Sequence, residues 1–395
     1  MVRHVSLPRG ALQEHHREHL RPGRDHPVRA RPEGALAVAK TLRNGRTTGS
    51  CASAAAMAGV RFLLTGERPK TVDVPLPPGG TLAVPIERME PGDGGVRVTV
   101  VKDGGDDPDV THGHDIQAVV SLEPGETSPP AVFLDGGKGV GRATLPGLPV
   151  AVGEPAINPE PRKQIEAAVR LAAKGFAGRI LVTVEVPEGE TIAKATMNPR
   201  LGIVGGISIL GTQGIVKPYS HASFKATIAE GLSVARAQNL DRVVFTTGRR
   251  SERFYMNSRP DTPETALIQA ADFFAFSMRA AMEHGFTEVV WAVFFGKLVK
   301  QAQGLEYTHA KTHPVDFVLL AKRCLEAGID PARVPAVREA NTAAQVLDML
   351  RDDPARNNFI KLLVKKAAGH ADKWAGNKSN VSYAVFDFDG HALGG

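Results

Sequence analysis

The sequence predicts an α/β protein in two parts. A glycine-rich α/β domain covers residues 36–221, and a Rossmann-like domain with a parallel sheet covers residues 222–395. Up to about His221, glycine-dense blocks separate short β-branched runs. From about Ser223 glycine thins, and helical stretches alternate with apolar strands. That alternation argues for a parallel sheet covered on both faces. A length of 395 residues suits two or three domains.

The ordered chain is expected to begin near Leu36. Ser50 reads as the N-cap of an alanine-rich helix over Cys51–Phe62. Strands are predicted at Thr71–Val74, Thr81–Ile86 and Val96–Val101, between Pro/Gly turns. Asn158-Pro159 signals the entry to a helix over Arg162–Lys174, and Ile180–Val186 reads as a strand. In the second part, helices are predicted at Phe224–Gln238, Pro263–His284, Lys297–Gln303, Val315–Ala327, Thr342–Leu350 and Asn358–His370. Strands are predicted at Arg242–Thr246, Glu288–Phe295 and Val381–Phe388. No exact internal repeat is present.

Hydrophobic residues make up 42% of the chain, as in a globular enzyme with substantial cores. No apolar run is long enough to span a bilayer, and the N-terminus lacks the apolar core of a signal peptide. Two cysteines, Cys51 and Cys324, make neither a disulfide framework nor a metal pair, so a cytoplasmic protein is expected. The net charge is +6. Residues 1–40 carry eight Lys/Arg against four Asp/Glu, which leaves 40 cations and 38 anions in the rest. The body is thus nearly neutral and carries no nucleic-acid footprint. Residues 1–35, with His4, His15, His16, His19 and His26 among arginines and prolines, read as a disordered extension. An interaction arm, a transit peptide, a plain solvated tail and a misassigned start all fit that composition.

Chemistry concentrates in a few blocks. Asp103, Asp106, Asp107 and Asp109 crowd one loop that closes on His112 and His114. Carboxylates so close stay ionised only when cations, donors or water answer them. A divalent-metal site, a site for N–H, hydroxyl or sulfonium groups, and a turn whose aspartates cap backbone N–H groups all fit. Gly136-Gly-Lys-Gly-Val-Gly-Arg142 has the opposite character. Its backbone could cradle an anion with help from Lys138 and Arg142, or it could be a structural turn. It is not a P-loop, because the Gly-x-x-x-x-Gly-Lys-Ser/Thr pattern is missing. Arg43 and Arg46 precede the alanine-rich helix, where an anion would be favoured. Cys51 at that helix start reads as a buried packing residue rather than a nucleophile.

The longest glycine-rich block is Asn198-Pro-Arg-Leu-Gly-Ile-Val-Gly-Gly-Ile-Ser-Ile-Leu-Gly-Thr-Gln-Gly-Ile-Val-Lys-Pro218, with Arg200 and Lys217 near its ends. With Leu42–Ala56, Val101–Gly113, Gly136–Arg142 and Gly153–Pro159, in this order, it resembles the cobalt-precorrin-5B C(1)-methyltransferase family of anaerobic cobalamin biosynthesis. The resemblance runs from about Leu42 to about Leu350. It implies methyl transfer from S-adenosylmethionine to C-1 of cobalt-precorrin-5B, giving cobalt-precorrin-6A. Cobalt would arrive with the tetrapyrrole, and no protein-bound metal is expected. Arg43, Arg46, Lys138, Arg142, Arg200 and Lys217 are then candidate anchors for substrate carboxylates. Asp103, Asp106, Asp107, Asp109 and His112 are the candidate catalytic set.

Ligands of open α/β sheets sit beyond the carboxyl ends of strands. That rule makes Thr247, Gly248, Arg249, Glu252, Gly296, Lys297, His309 and Lys311 the candidate donor contacts. The usual methyltransferase glycine signature and ribose-binding acid are both missing there. His221 joins His112, His114 and His309 as a possible base or cobalt ligand. A metal-dependent phosphotransferase using the acidic loop and a non-catalytic tetrapyrrole carrier are the competing classes. A homo-oligomer is compatible with the chain, and neither nucleic acid nor membrane is expected as a partner.

Overall fold

The computed structural model describes residues 41–92 and 94–394. The expected extension over residues 1–35 and the expected start near Leu36 lie outside them. The described chain is a mixed α/β protein with two five-stranded sheets and several two-stranded pairings. Among the described residues, no helix is long and apolar enough to cross a membrane.

The first large sheet runs in the order Arg88–Gly92, Gly95–Val101, Asp115–Pro124, Gly178–Glu185, Ala131–Gly136. Its neighbours are antiparallel except the last pair, which is parallel. The helix Thr48–Thr65 lies on this sheet and is buried without interruption from Thr48 to Val60. Its small residues permit that closeness. A Cβ on Gly59 would come within 2.8 Å of Val120 Cγ2. The helix starts one turn earlier than the sequence predicts. Thr47 is the N-cap, its hydroxyl accepting the Ser50 N–H at 3.1 Å, so Ser50 lies inside the helix. Ser50 is instead drawn to the glycine-rich block, donating to the Gly214 carbonyl at 2.7 Å.

The glycine-rich blocks pair with one another. Gly45–Arg46 runs antiparallel to Ile215–Val216, Gly139–Val140 parallel to Gly206–Ile207, and Arg142–Ala143 antiparallel to Ile203–Val204. Gly139 has φ of 71°, in the left-handed region open to glycine. A Cβ there would overlap the Val186 carbonyl oxygen, and Cβ atoms on Gly189 or Gly206 would overlap the Gly139 carbonyl. Backbone meets backbone at this point, which is why the sequence is glycine-rich.

The second large sheet has the order Leu267–Gln269, Arg242–Thr246, Glu288–Phe294, Asn380–Phe386, Ala392–Leu393. The first four strands are parallel and the short last one is antiparallel. Alternate side chains enter separate cores on its two faces. Val243 and Phe245 join the core that holds Trp291, Phe274 and Phe359, whereas Val244 joins Tyr255, Leu267 and Phe386 on the other face. Phe245 and Phe274 each hold a ring centroid 5.0 Å from that of Trp291. Such aromatic pairs contribute about 0.5–1.5 kcal/mol beyond their burial.

One predicted helix is corrected. Pro263–His284 is a 3-10 turn at Glu264–Ala266, a strand at Leu267–Gln269 and a helix at Phe274–Glu283. Pairing of Leu267–Gln269 with Val244–Thr246 overrides the helical propensity of the stretch, and Ala271 turns the chain with φ of 46°. The helix Arg249–Ser258 and the strands Arg88–Gly92, Asp115–Pro124 and Ala131–Gly136 were not anticipated.

Candidate functional site

The acidic loop closes the hairpin between Gly95–Val101 and Asp115–Pro124. Lys102 and the His112–His114 segment tie its ends, with the Gly113 N–H on the Lys102 carbonyl at 2.7 Å. Each of its carboxylates has a partner. Asp103 is held by both arms of Arg43, and Arg46 lies 3.8 Å away. The Arg43 guanidinium holds the Asp103 carboxyl well below the usual carboxylate range. Asp106 accepts the Arg43 N–H at 2.8 Å, and Asp107 accepts the Tyr219 N–H at 2.8 Å. Asp109 pairs with Lys102 and accepts the Thr111 N–H at 2.8 Å. Burial alone would lift the Asp109 carboxyl, but the Lys102 charge and the bonds from Lys102 and Thr111 bring it below its ordinary value.

His112 accepts the Gly104 N–H on Nδ1 at 2.9 Å, which leaves Nε2 to carry its proton. His114 pairs with Glu188. The loop is therefore stitched to Arg43, Arg46 and Tyr219 by its own acids.

The anion-cradle reading of Gly136–Arg142 meets a similar accounting. The N–H groups of Gly137, Val140 and Gly141 already bond to carbonyls of Val184, Gly137 and Ile207. Arg142 binds Asp135 and the carbonyls of Gly136 and Gly153, while Lys138 and Lys217 are exposed. The phosphotransferase alternative thus finds neither an unengaged acid cluster nor an open phosphate loop in this part of the chain.

Arg200 and Glu252, expected on different ligands, are each other's partners. Two bonds of 2.9 and 2.7 Å join them, and Glu252 is also reached by Thr246 and Gln269. The pair sits where Arg242–Thr246 and Leu267–Gln269 end. The switch point of the parallel sheet lies on the other side of Arg242–Thr246, between it and Glu288–Phe294, because the chain places Leu267–Gln269 on one side of Arg242–Thr246 and Glu288–Phe294 on the other. Thr247 donates its N–H to Ser251, and Arg249 reaches the Ala195 carbonyl. Gly248 faces open space, since a Cβ there would meet nothing within 4 Å.

A second polar cluster lies beyond. Lys297 pairs with Asp272, Thr308 donates to Asp272 at 3.0 Å, and Lys300 donates to the Thr308 carbonyl at 3.0 Å. Gly296 lies in the first turn of the helix Phe295–Ala302. The ring of His309 stacks on that of Tyr307, whose hydroxyl lies 3.2 Å from His221, and Lys311 is exposed.

The cavities beside the hairpin loop and the glycine-rich block were only partly legible. A cavity of about 250 Å³ is lined by Lys102, Asp109 and Thr111 from the hairpin loop, Asn198 and Ser208 from the glycine-rich block, and Thr47, Thr48 and Glu230. Apolar Leu148, Leu201, Ile203 and Ile207 complete its walls. Met197, Leu201 and Thr227 are shared with a smaller cavity of about 100 Å³ that reaches Arg200, Leu267 and Gln269 at the sheet edge. Of the expected catalytic acids only Asp109 lines this space; Asp103, Asp106, Asp107 and His112 do not.

Lys102 and Glu230 were missed. Lys102 sits inside a quoted motif, next to the acids that drew attention. Glu230 lies three residues after Thr227 and four before Val234, on one helical face.

Cys51 is fully buried, and burial pushes its thiol up to about 11 although Lys102 and Arg46 act the other way. Cys324 is pushed up to about 12 by burial. Both should therefore stay unalkylated by iodoacetamide in native protein near neutral pH and react after denaturation. Mass spectrometry checks this, and rapid native labelling of Cys51 would contradict its burial.

A family model described as CbiD matches residues 36–218, and one described as the CbiD C-terminal domain matches residues 307–395. The chain is 51% identical to the cobalt-precorrin-5B C(1)-methyltransferase of Nitratidesulfovibrio vulgaris, over 94% of this chain and 95% of that protein. It is 44% identical to the protein of that name from Geobacillus sp., over 90% of this chain and 96% of that protein. For Thermus thermophilus the identity is 43%, over 89% and 93%. A crystal structure titled cobalamin biosynthesis protein (cbiD) from Archaeoglobus fulgidus aligns at 30% identity with a TM-score of 0.36, over 66% of this chain and 80% of that one.

Proposed function

This chain belongs to the CbiD family, and on that premise we propose that it methylates C-1 of cobalt-precorrin-5B, with S-adenosylmethionine as the donor. The observation that carries the reading is a pair of neighbouring cavities that share Met197, Leu201 and Thr227. Together they reach from residues of the acidic hairpin and glycine-rich block to the edge strand Leu267–Gln269 of the parallel sheet. Residues 36–221 act as the tetrapyrrole-binding part and residues 222–395 as the Rossmann-like donor-binding part.

The donor fits the sheet edge on two counts. Gly248 leaves open space just after the strand Arg242–Thr246, and the smaller cavity is walled by Met197, Leu267 and Ile268, with Arg200, Thr227, Thr265 and Gln269 as its polar groups. Thr247, Gly248 and Gln269 would hold the donor, which supplies an activated methyl group. Arg200 keeps Glu252 oriented there rather than anchoring the substrate. Exposed Lys138 and Lys217 remain the cations suited to substrate carboxylates.

The macrocycle brings its own nucleophilic carbon, so the chain contributes mainly approach and orientation, worth about 7–11 kcal/mol in favourable cases. No resident metal is required, because cobalt arrives in the substrate.

Titration calorimetry with S-adenosylhomocysteine, in chelator-treated buffer with and without the tetrapyrrole, tests the reading. Saturable binding is expected in at least one condition. Folded protein that binds in neither has no donor site and is not a methyltransferase.

A further inference from the structure

The cleft contains a carboxylate that the fold does not use. Glu230 stands on the helix His221–Ala237, on the face that also presents Thr227 and Val234 to the cavities. That face is pressed towards the sheet, since a Cβ on neighbouring Gly231 would come within 2.8 Å of Ile268 Cδ1. Glu230 is half-buried and shares its cavity with Leu148, Leu201 and Ile203. Burial is the sole influence on its carboxyl and lifts it above the ordinary value; no hydrogen bond or charge from the described residues offsets this. The other ionisable groups lining the cavity are Lys102 and Asp109, which answer each other.

An unpartnered carboxylate among apolar walls lowers stability. A group held that way in a cleft marks a functional position. We propose that Glu230 is the base that takes the proton the tetrapyrrole releases when it is methylated. The assignment rests on the methyltransferase reading above.

The balance is simple. The new carbon–methyl bond forms with an electron pair from the macrocycle, and the methyl–sulfur bond breaks with its pair left on sulfur. The positive charge that arrives on the macrocycle is discharged by breaking a ring N–H or C–H bond. The proton goes to Glu230 and the bonding pair returns to the ring. A carboxylate whose pKa is raised by burial is a stronger base than an exposed one.

The sign of the stability effect follows. A carboxyl whose folded-state pKa is raised costs nothing below its unfolded value, and the cost appears as pH rises through the folded value. Glu230→Gln should therefore melt at or above the wild-type temperature, with an advantage that grows as pH rises above the ordinary glutamate range.

The experiment uses the full chain with isotopically labelled S-adenosylmethionine and cobalt-precorrin-5B, alongside thermal unfolding across pH. Glu230→Gln should bind S-adenosylhomocysteine as the wild type does and lose roughly a hundred-fold or more in turnover. It should also lose the acid limb of the wild-type pH profile. A variant with wild-type turnover overturns the assignment. So does one that melts well below wild type at every pH, because Glu230 would then be structural. If the wild type itself transfers no methyl group, the methyltransferase reading fails and takes this assignment with it. An active wild type with an equally active variant removes Glu230 alone.

Discussion

Gly139→Ala is expected to leave little folded protein. Its φ of 71° is a conformation that L side chains adopt at a cost of roughly 1–2 kcal/mol. The added Cβ would also overlap the Val186 carbonyl, and that oxygen belongs to backbone that cannot swing aside. Overpacking of this kind adds about 1–3 kcal/mol. Together they amount to about 2–5 kcal/mol, a large share of a typical domain's stability. Gly206→Ala should act similarly from the opposite strand, where its Cβ would overlap the Gly139 carbonyl. Gly205→Ala is the control. Its φ is 85°, but a Cβ there meets nothing within 4 Å, so only the backbone cost applies. Denaturant unfolding should rank Gly205→Ala far milder than the other two. Equal effects at Gly205 and Gly206 would mean that the close pairing is not what the glycines serve.

Lys102→Met should be nearly as damaging, for an electrostatic reason. Lys102 is 2% exposed and its ammonium is the charge that answers Asp109. Removing it leaves a largely buried carboxylate with only Thr111 to bond it. Breaking one side of such a pair costs about 3–5 kcal/mol. The pH dependence identifies the cause. The Asp109 carboxyl is depressed in the fold, so its stabilising share is complete above the unfolded value near about pH 4 and is lost as pH falls through the folded value. The gap between wild type and Lys102→Met should be wide at neutral pH and narrow in acid. Adding Asp109→Asn to Lys102→Met should recover much of the loss, because no uncompensated charge remains. A gap that does not change with pH would point to lost packing of the lysine stem instead.

Local signals were legible where local physics decides. The alanine-rich run did form the helix Thr48–Thr65, and Arg242–Thr246 is a strand over the predicted residues. Asp115–Pro124 escaped because a buried polar residue interrupts its apolar pattern. Gln117 is tolerated there only through its bonds with Thr99 and Arg97 on the neighbouring strand. Leu267–Gln269 escaped because its strand character comes from pairing with Arg242–Thr246 and not from its own composition. The same limit governs the site. The acidic loop and glycine-rich blocks could be recognised as special, but their partners come from far along the chain. Asp107 meets Tyr219, and Arg200 meets Glu252. Composition identifies which residues carry charge, whereas the fold decides which of those charges are already spent.

The pairing of the first helix with the glycine-rich block has a consequence for synthesis. The N–H groups of Thr47 and Gly49 bond to the carbonyls of Gly214 and Leu210, and Gly45 pairs with Val216. At the ribosome, the start of this helix therefore cannot reach its final contacts until more than 160 further residues have emerged. Translation proceeds at roughly 5–20 residues per second, so the start of the helix waits for several seconds or more without those partners. Closure over such a separation is also intrinsically slow. A nascent chain stalled before Leu210 should be readily degraded by protease, and one stalled well beyond Pro218 should resist it. Docking of the helix start is thus timed by the exit of the glycine-rich block.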